Sequence, residues 1–356
     1  MHTLTESSPR LYVPPFWSPT PLAEHPAGAA ELGGRSMAWM TDLRIWPDAD
    51  HRDQLAAFEL GRLGTLTTPR GLPDRMQLTA DLYLWYHAFD DAAGDAQGDA
   101  RPLAGLINLV VELCQVLNDP GSGLVRDPFT AGLADICRRI AGIAEREQYA
   151  EWLAALQSYL IHEVSEASRR EQNYVPSLVE YAIYCIDGRA AMSSMLLVPI
   201  ICGYRVPDEQ MARLRGFLRL TCLMAGCDND LYSLPKEMDQ AGHVSLPKII
   251  ARQAGCGLQE ALSVAMAVRD LVMHEFVALG AELIATLPDA GGRFAEDLLS
   301  WIRGQLEWGL SSARFAHPLG ERPRAFAPAP NFAAPGAQKF ADELLSAVGP
   351  RAATGA

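Results

Sequence analysis

From about Ala27 onward, apolar residues recur three and four positions apart, in segments separated by short Gly, Pro or Asp clusters such as "GLPD", "NDPGSG", "VPS" and "VPDEQ". That period predicts amphipathic helices. No stretch shows sustained alternation with β-branched enrichment, so strands are not expected. Two segments are especially long and apolar: "PSLVEYAIYCIDGRAAMSSMLLVPIICGY" and "PDEQMARLRGFLRLTCLMAGCDNDLYS". The expectation is an all-α chain of about ten or more helices without an internal repeat. Ahead of them, "LYVPPFWSPTP" is too rich in proline to be helical. After Phe315 the composition shifts to the Pro/Ala-rich "HPLGERPRAFAPAPNFAAPGAQ", expected to cross the surface or to move, followed by "KFADELLSAVG", a candidate short docking helix. The predicted organisation is an N-terminal flexible piece (1–11), one helical domain (12–318) and a tail (319–356).

One helical segment ends against its own pattern. In "WYHAFDDAAGD", Trp85 to Asp95, an apolar aromatic run leads directly into Asp90 and Asp91, with Asp95 one turn on. Helical geometry sets Asp91 and Asp95 on one face and Asp90 about 100° to 140° away, so the pattern leaves open which carboxylates share a target. A second polar cluster interrupts another apolar helix at "CDNDLYSLPKE". There Asn229, Ser233 and Glu237 stand at i, i+4 and i+8, within roughly 80° of one another around a helix. Amide, hydroxyl and carboxylate oxygens suit a hard cation such as Mg²⁺, which keeps waters and takes further ligands from substrate phosphate. Either cluster alone is ordinary helix-surface chemistry. Two of them, each preceded by apolar helix, predict oxygen-rich faces that clamp a metal-bound phosphate group across a bundle. Pro235 lies within the second cluster and threatens the register of Glu237.

Composition narrows the partners. The 356 residues are 49% hydrophobic and 21% charged, the balance of a chain with a sizeable core. A net charge of -13 argues against nucleic acid, which needs a basic face, so an anionic ligand must be held by metal or by a few local bases. The seven scattered cysteines form no CxxC pair and read as reduced core thiols of a cytoplasmic protein. The longest uncharged apolar run, Ala190 to Tyr204, contains Pro199 and is shorter than the roughly 20 residues of a membrane span.

The pair "DDAAGD" and "NDLYSLPKE", about 140 residues apart, resembles the aspartate-rich and Asn-Ser-Glu metal motifs of bacterial-type class I terpene synthases. "PPF", "SEASRREQNYVPSLVEY" and "GCGLQEAL" agree in order, and "WGLSSARF" is similar to the family's Trp-containing helix that ends in an Arg-Tyr pair. The likeness covers about residues 12 to 318. It implies a helical bundle around a central cavity, an isoprenoid diphosphate substrate, three Mg²⁺ ions, ionisation of the C–O bond and cyclisation of the resulting cation. A homodimer is compatible with it.

By this resemblance Asp90 is the first-motif ligand, with Asp91 and Asp95 in the same motif; Asn229, Ser233 and Glu237 hold another ion, and Lys236 and Arg314 contact the diphosphate. Asp187 and Gly188 fall at the family's break in the central helix. The arginine that usually precedes that break is missing, its place falling on Tyr184 or Cys185, and Arg189 just beyond is the candidate substitute. Ring faces stabilise a cation without quenching it, which makes Tyr86, His87, Phe89 and Trp308, with Tyr83 and Trp301, candidates for the pocket lining. Two other readings stay in play. A chain-elongating prenyltransferase would pair two Asp-rich motifs, and a non-catalytic helical protein that binds an isoprenoid or a partner would explain the missing arginine. Farnesyl diphosphate is the family's default substrate; small residues around 188 to 196 leave room for geranylgeranyl diphosphate.

Overall fold

A computed structural model describes residues 10–46, 48–93, 101–121, 125–238, 243–323 and 325–349. Its helices, in chain order, are α1 (Ala29–Asp42), α2 (Ala49–Ala56), α3 (Leu60–Thr67), α4 (Met76–Ala93), α5 (Leu103–Asn118), α6 (Pro128–Ala141) and α7 (Arg146–Gln172). They continue with α8 (Leu178–Asp187), α9 (Ala191–Ile201), α10 (Asp208–Glu237), α11 (Leu246–Ala254), α12 (Leu258–Thr286), α13 (Asp289–Ser311) and α14 (Ala337–Ala347). Among the described residues the only sheet is a parallel pair of two-residue strands, β1 (Leu11–Tyr12) and β2 (Gly320–Glu321). The all-α architecture is as the period predicted.

The thirty-residue α10 passes through the middle of the bundle, touching α8, α9, α11, α12 and α13, while α4 packs on α1, α3, α6, α7 and α9. Local sequence sets where the central helices begin and end. The α8 helix starts in a capping box: the Ser177 hydroxyl accepts from the Glu180 N–H at 3.3 Å, and the Glu180 carboxylate accepts from the Ser177 N–H at 2.7 Å. It stops at Asp187, and the chain passes through Ala190 at φ 52° before α9 resumes. On α10, Gly226 has no side chain because Cys185 of α8 fills the space; a Cβ there would meet the thiol sulfur at 2.4 Å. This close crossing brings the break between α8 and α9 against the second half of α10.

The span Leu178–Ile201 is long and apolar enough to cross a membrane, but it contains that break and 67% of its most apolar window is buried among other helices. The stretch expected to run over the surface after residue 318 is tied back. Leu11 and Tyr12 pair with Gly320 and Glu321, Trp17 bridges to Ala327, and α14 packs on α12 and α8. The extended lead-in and the tail thus hold each other.

Candidate active site

Helix α4 carries its site residues as one stripe. Tyr83, Tyr86, His87 and Asp90 recur at the spacing of a single helix face and line one side of a cavity of ≈ 200 Å³. Asp90 lies at the mouth, its side chain 46% exposed. The register leaves its neighbours elsewhere. Phe89 is fully buried and stacks on Trp85 with centroids 5.1 Å apart, edge-on to Phe129, so it belongs to the core rather than to the cavity wall expected from the sequence. Asp91 turns toward Arg314 and His51, off the wall. Asp95 lies outside the described residues.

Opposite stands α10. Asn229, Tyr232 and Glu237 face the cavity, and Ser233 is buried behind them with its hydroxyl donating to Glu237 at 2.6 Å. That bond sets Glu237 one helical turn beyond Ser233, so the register passes Pro235 intact. Lys236 is half-buried and is not part of the wall.

The break between α8 and α9 forms a third side, with Tyr184, Gly188, Arg189, Ala190 and Ala191 on the wall. Gly188 is required by contact: a Cβ would come within 2.5 Å of the His162 ring. Asp187 is not part of the cavity wall, and burial raises its carboxyl pKa. Arg189 enters where the sequence suggested. Its guanidinium donates to Asn229 Oδ1 at 2.7 Å and pairs with the buried Asp230 carboxylate, which also accepts from the Tyr181 hydroxyl and the Leu246 N–H. Tyr184 lies between two guanidiniums, with Arg169 4.9 Å and Arg189 5.2 Å from the ring centroid, and donates its hydroxyl to Glu166.

The remaining wall comes from α7, α13 and the short turn after it. Trp301, Gln305 and Trp308 project from α13, and Arg314 and Phe315 from the 3₁₀ turn Ala313–Phe315. The Trp308 ring meets His87 edge-on at 5.3 Å and anchors its N–H on the Phe58 carbonyl at 2.7 Å. Arg314 reaches both aspartates, at 2.6 Å to Asp90 and 2.8 Å to Asp91. Burial opposes the charge on Asp91, but Arg314, with His51, more than offsets it and holds the carboxyl well below its usual range. Burial, then the Arg314 charge, pushes His87 down to about 3, so its ring is neutral.

Several wall residues were not singled out from the sequence. Tyr159, Glu163 and Glu166 follow helical spacing on α7, a signal present in "SYLIHEVSE" but masked by the polar character of the whole segment. Burial, then the nearby Asp90 and Glu166 charges, raises the Glu163 pKa well above the usual range. Asp228 and Asp230 flank Asn229 and turn into the core, each raised by burial and drawn back by an arginine: Arg269 for Asp228, which reaches about 6, and Arg189 for Asp230.

The donor set suits a hard cation. Among the described residues no three His, Cys, Asp or Glu side chains converge on one point, and the oxygens at hand are the Asn229 amide, the Ser233 hydroxyl and the Asp90 and Glu237 carboxylates. Both oxygen groups already face positive charge, Asn229 taking Arg189 and Asp90 taking Arg314. Residues 81–275 match the family model described as terpene synthase family 2, C-terminal metal binding, a span that contains both motifs. The chain belongs to the class I terpene synthases. It is 30% identical over 334 residues to bonnadiene synthase of Allokutzneria albata, covering 90% of this chain and 92% of the relative. It is also 30% identical over 317 residues to the (+)-T-muurolol synthase of Streptomyces clavuligerus, described as (2E,6E)-farnesyl diphosphate cyclizing, covering 86% and 74%. The fold matches 2-methylisoborneol synthase from Streptomyces coelicolor A3(2), solved with Mg²⁺ and 2-fluoroneryl diphosphate, with a TM-score of 0.76, 20% identity and coverage of 85% and 97%. This terpene synthase is therefore a metal-binding lyase that makes cyclic terpenes.

Proposed function

We propose that this enzyme ionises and cyclises a linear isoprenoid diphosphate, with farnesyl diphosphate as the preferred substrate and three Mg²⁺ ions held between Asp90 on α4 and Asn229, Ser233 and Glu237 on α10. The observation that carries the reading is one cavity lined by Asp90 of the first motif, by Asn229 and Glu237 of the second, and by the rings of Tyr83, Tyr86, Trp301, Trp308 and Phe315. When bound, the ions supply Lewis acidity to the departing diphosphate. The protein does the remainder. Arg314 and Arg189 can transfer their guanidinium donors from carboxylate and amide oxygens to diphosphate oxygens, a bidentate contact that lysine does not reproduce, and Lys236 adds charge nearby. Neutral His87 does not compete with the substrate cation for the negative faces around it. The ring faces stabilise positive charge where water is excluded. The family's usual arginine position falls on Tyr184 or Cys185, of which Tyr184 lines the wall, and Arg189 provides the charge from the far side of the break. Farnesyl diphosphate is favoured by the muurolol-forming relative. We also place the enzyme in the cytoplasm, where its seven free cysteines would stay reduced.

Incubation with geranyl, farnesyl or geranylgeranyl diphosphate and Mg²⁺, followed by product analysis, tests the reading. Cyclic terpene from farnesyl diphosphate is expected, lost with EDTA and recovered with Mg²⁺. A longer linear diphosphate would show a prenyltransferase instead, and unchanged substrates would show a binding protein.

A further inference from the structure

Asparagine is an ambiguous metal ligand, because its carbonyl oxygen can bind a cation while its NH₂ repels one, and a half-turn about the last bond exchanges them. Behind Asn229 runs a chain of buried hydrogen bonds that removes the ambiguity. Its far end is Arg269, fully buried on α12, which can only donate, and does so from Nε to Asp228 Oδ1 at 2.7 Å. The paired carboxylate of Asp228 only accepts, so it receives the Gln305 NH₂ on Oδ2 at 2.9 Å. That fixes the Gln305 amide, whose oxygen must then accept, and it takes the Tyr232 hydroxyl at 3.1 Å. The hydroxyl's one proton is engaged there, so its oxygen accepts from Asn229 Nδ2 at 3.2 Å. With Nδ2 committed to Tyr232, Oδ1 is left to meet Arg189.

We propose that Asp228, Gln305 and Tyr232, anchored on Arg269, form a polarity relay whose task is to present the oxygen of Asn229 to the metal. The relay rests on the reading of Asn229 as a metal ligand. Its bonds run between protein side chains alone, so it persists when Arg189 gives up Oδ1. None of its four members is itself a ligand; they are positioning residues. Arg269 is held in turn, donating to the Trp17 carbonyl and to Asp270 at 3.0 Å, while Asp270 accepts the Asn331 N–H at 2.8 Å. The lead-in and the tail thereby brace the far end of the chain of bonds. Outer partners of this kind commonly change metal affinity by about 10- to 100-fold.

Replacing Asn229 by aspartate separates orientation from packing, since a carboxylate offers oxygen whichever way it turns. Binding of Mn²⁺ in the presence of inorganic diphosphate, followed by calorimetry and by the paramagnetic resonance of free Mn²⁺, is the readout. Tyr232→Phe, which keeps the ring that packs on Gly309, should weaken Mn²⁺ binding about 10-fold or more, and Gln305→Met should do likewise with the fold confirmed by circular dichroism. In the Asn229→Asp background neither substitution should weaken it further. Equal losses in both backgrounds, or no loss in either, would overturn the relay. Asn229→Ala tells the two ideas apart: unchanged Mn²⁺ binding there removes Asn229 from the metal site altogether, whereas a loss there with normal binding by Tyr232→Phe removes only the relay.

Discussion

The two oxygen motifs face the same cavity but are built differently. On α10 the residues around Asn229 are sealed in: Asp228, Asp230 and Ser233 are all fully buried, each fixed by at least one charged or hydroxyl partner. On α4, Asp90 leaves 46% of its side chain exposed, three residues from the last helical position, and is held chiefly by Arg314, which also has Asp91 to satisfy. Buried polar groups held by hydrogen bonds are costly to displace, whereas an exposed carboxylate can adjust at little cost. The Asn-Ser-Glu side is thus pre-set before ligand arrives, and the aspartate side is free to close on it.

The largest effect should come from breaking the rigid side. Arg269→Ala leaves Asp228 buried and uncompensated, which costs about 3–5 kcal/mol, while Asp90→Asn should stay within about 0.5 kcal/mol of wild type. Denaturant unfolding of the two variants measures the contrast, and similar losses would erase it. Turnover should show the reverse insensitivity. Asn229→Ala and Glu237→Ala should each lose about 100-fold or more in activity while losing about 1–3 kcal/mol of stability from the partners they leave unpaired, and full activity in both would reject the metal assignment.

A smaller effect sharpens the aspartate side through its neighbour. His87 is held near 3 in the fold against 6.5 when unfolded, so the unfolded chain binds the extra proton first and stability falls as pH drops below 6.5. From pH 6.5 to 5 that amounts to about 2 kcal/mol, and His87→Gln should flatten the slope over this window in acid-melting curves. The smallest change is one of product ratio. Trp308→Leu or Tyr86→Leu should shift products toward earlier-quenched species more than it alters substrate consumption, whereas Phe89→Leu, off the wall, should alter stability and leave the ratios as they are.

The contrast also explains what could be read from the sequence. That Asp90, Asn229 and Glu237 share one cavity was legible because their spacing on apolar helices is a local property that survives folding. Phe89 was misassigned because adjacency to Asp90 in sequence is not adjacency on a helix face, and the stripe runs Tyr83, Tyr86, His87, Asp90 instead. Asp228 and Asp230 were invisible as anchors: their partners, Arg269 and Arg189, lie 41 residues away in opposite directions, and nothing in "CDND" announces either. The pairing of residues 11–12 with 320–321 is longer in range still, and Pro/Ala-rich composition concealed it.

The most direct test is a crystal structure grown with Mn²⁺ and inorganic diphosphate, in which anomalous scattering locates each ion. The account predicts one ion on Asn229 Oδ1, Ser233 and Glu237 with α10 unmoved, and others at Asp90 with the end of α4 and Arg314 shifted toward the diphosphate. Ions bound without Asn229, or an α10 that rearranges while Asp90 stays in place, would contradict it.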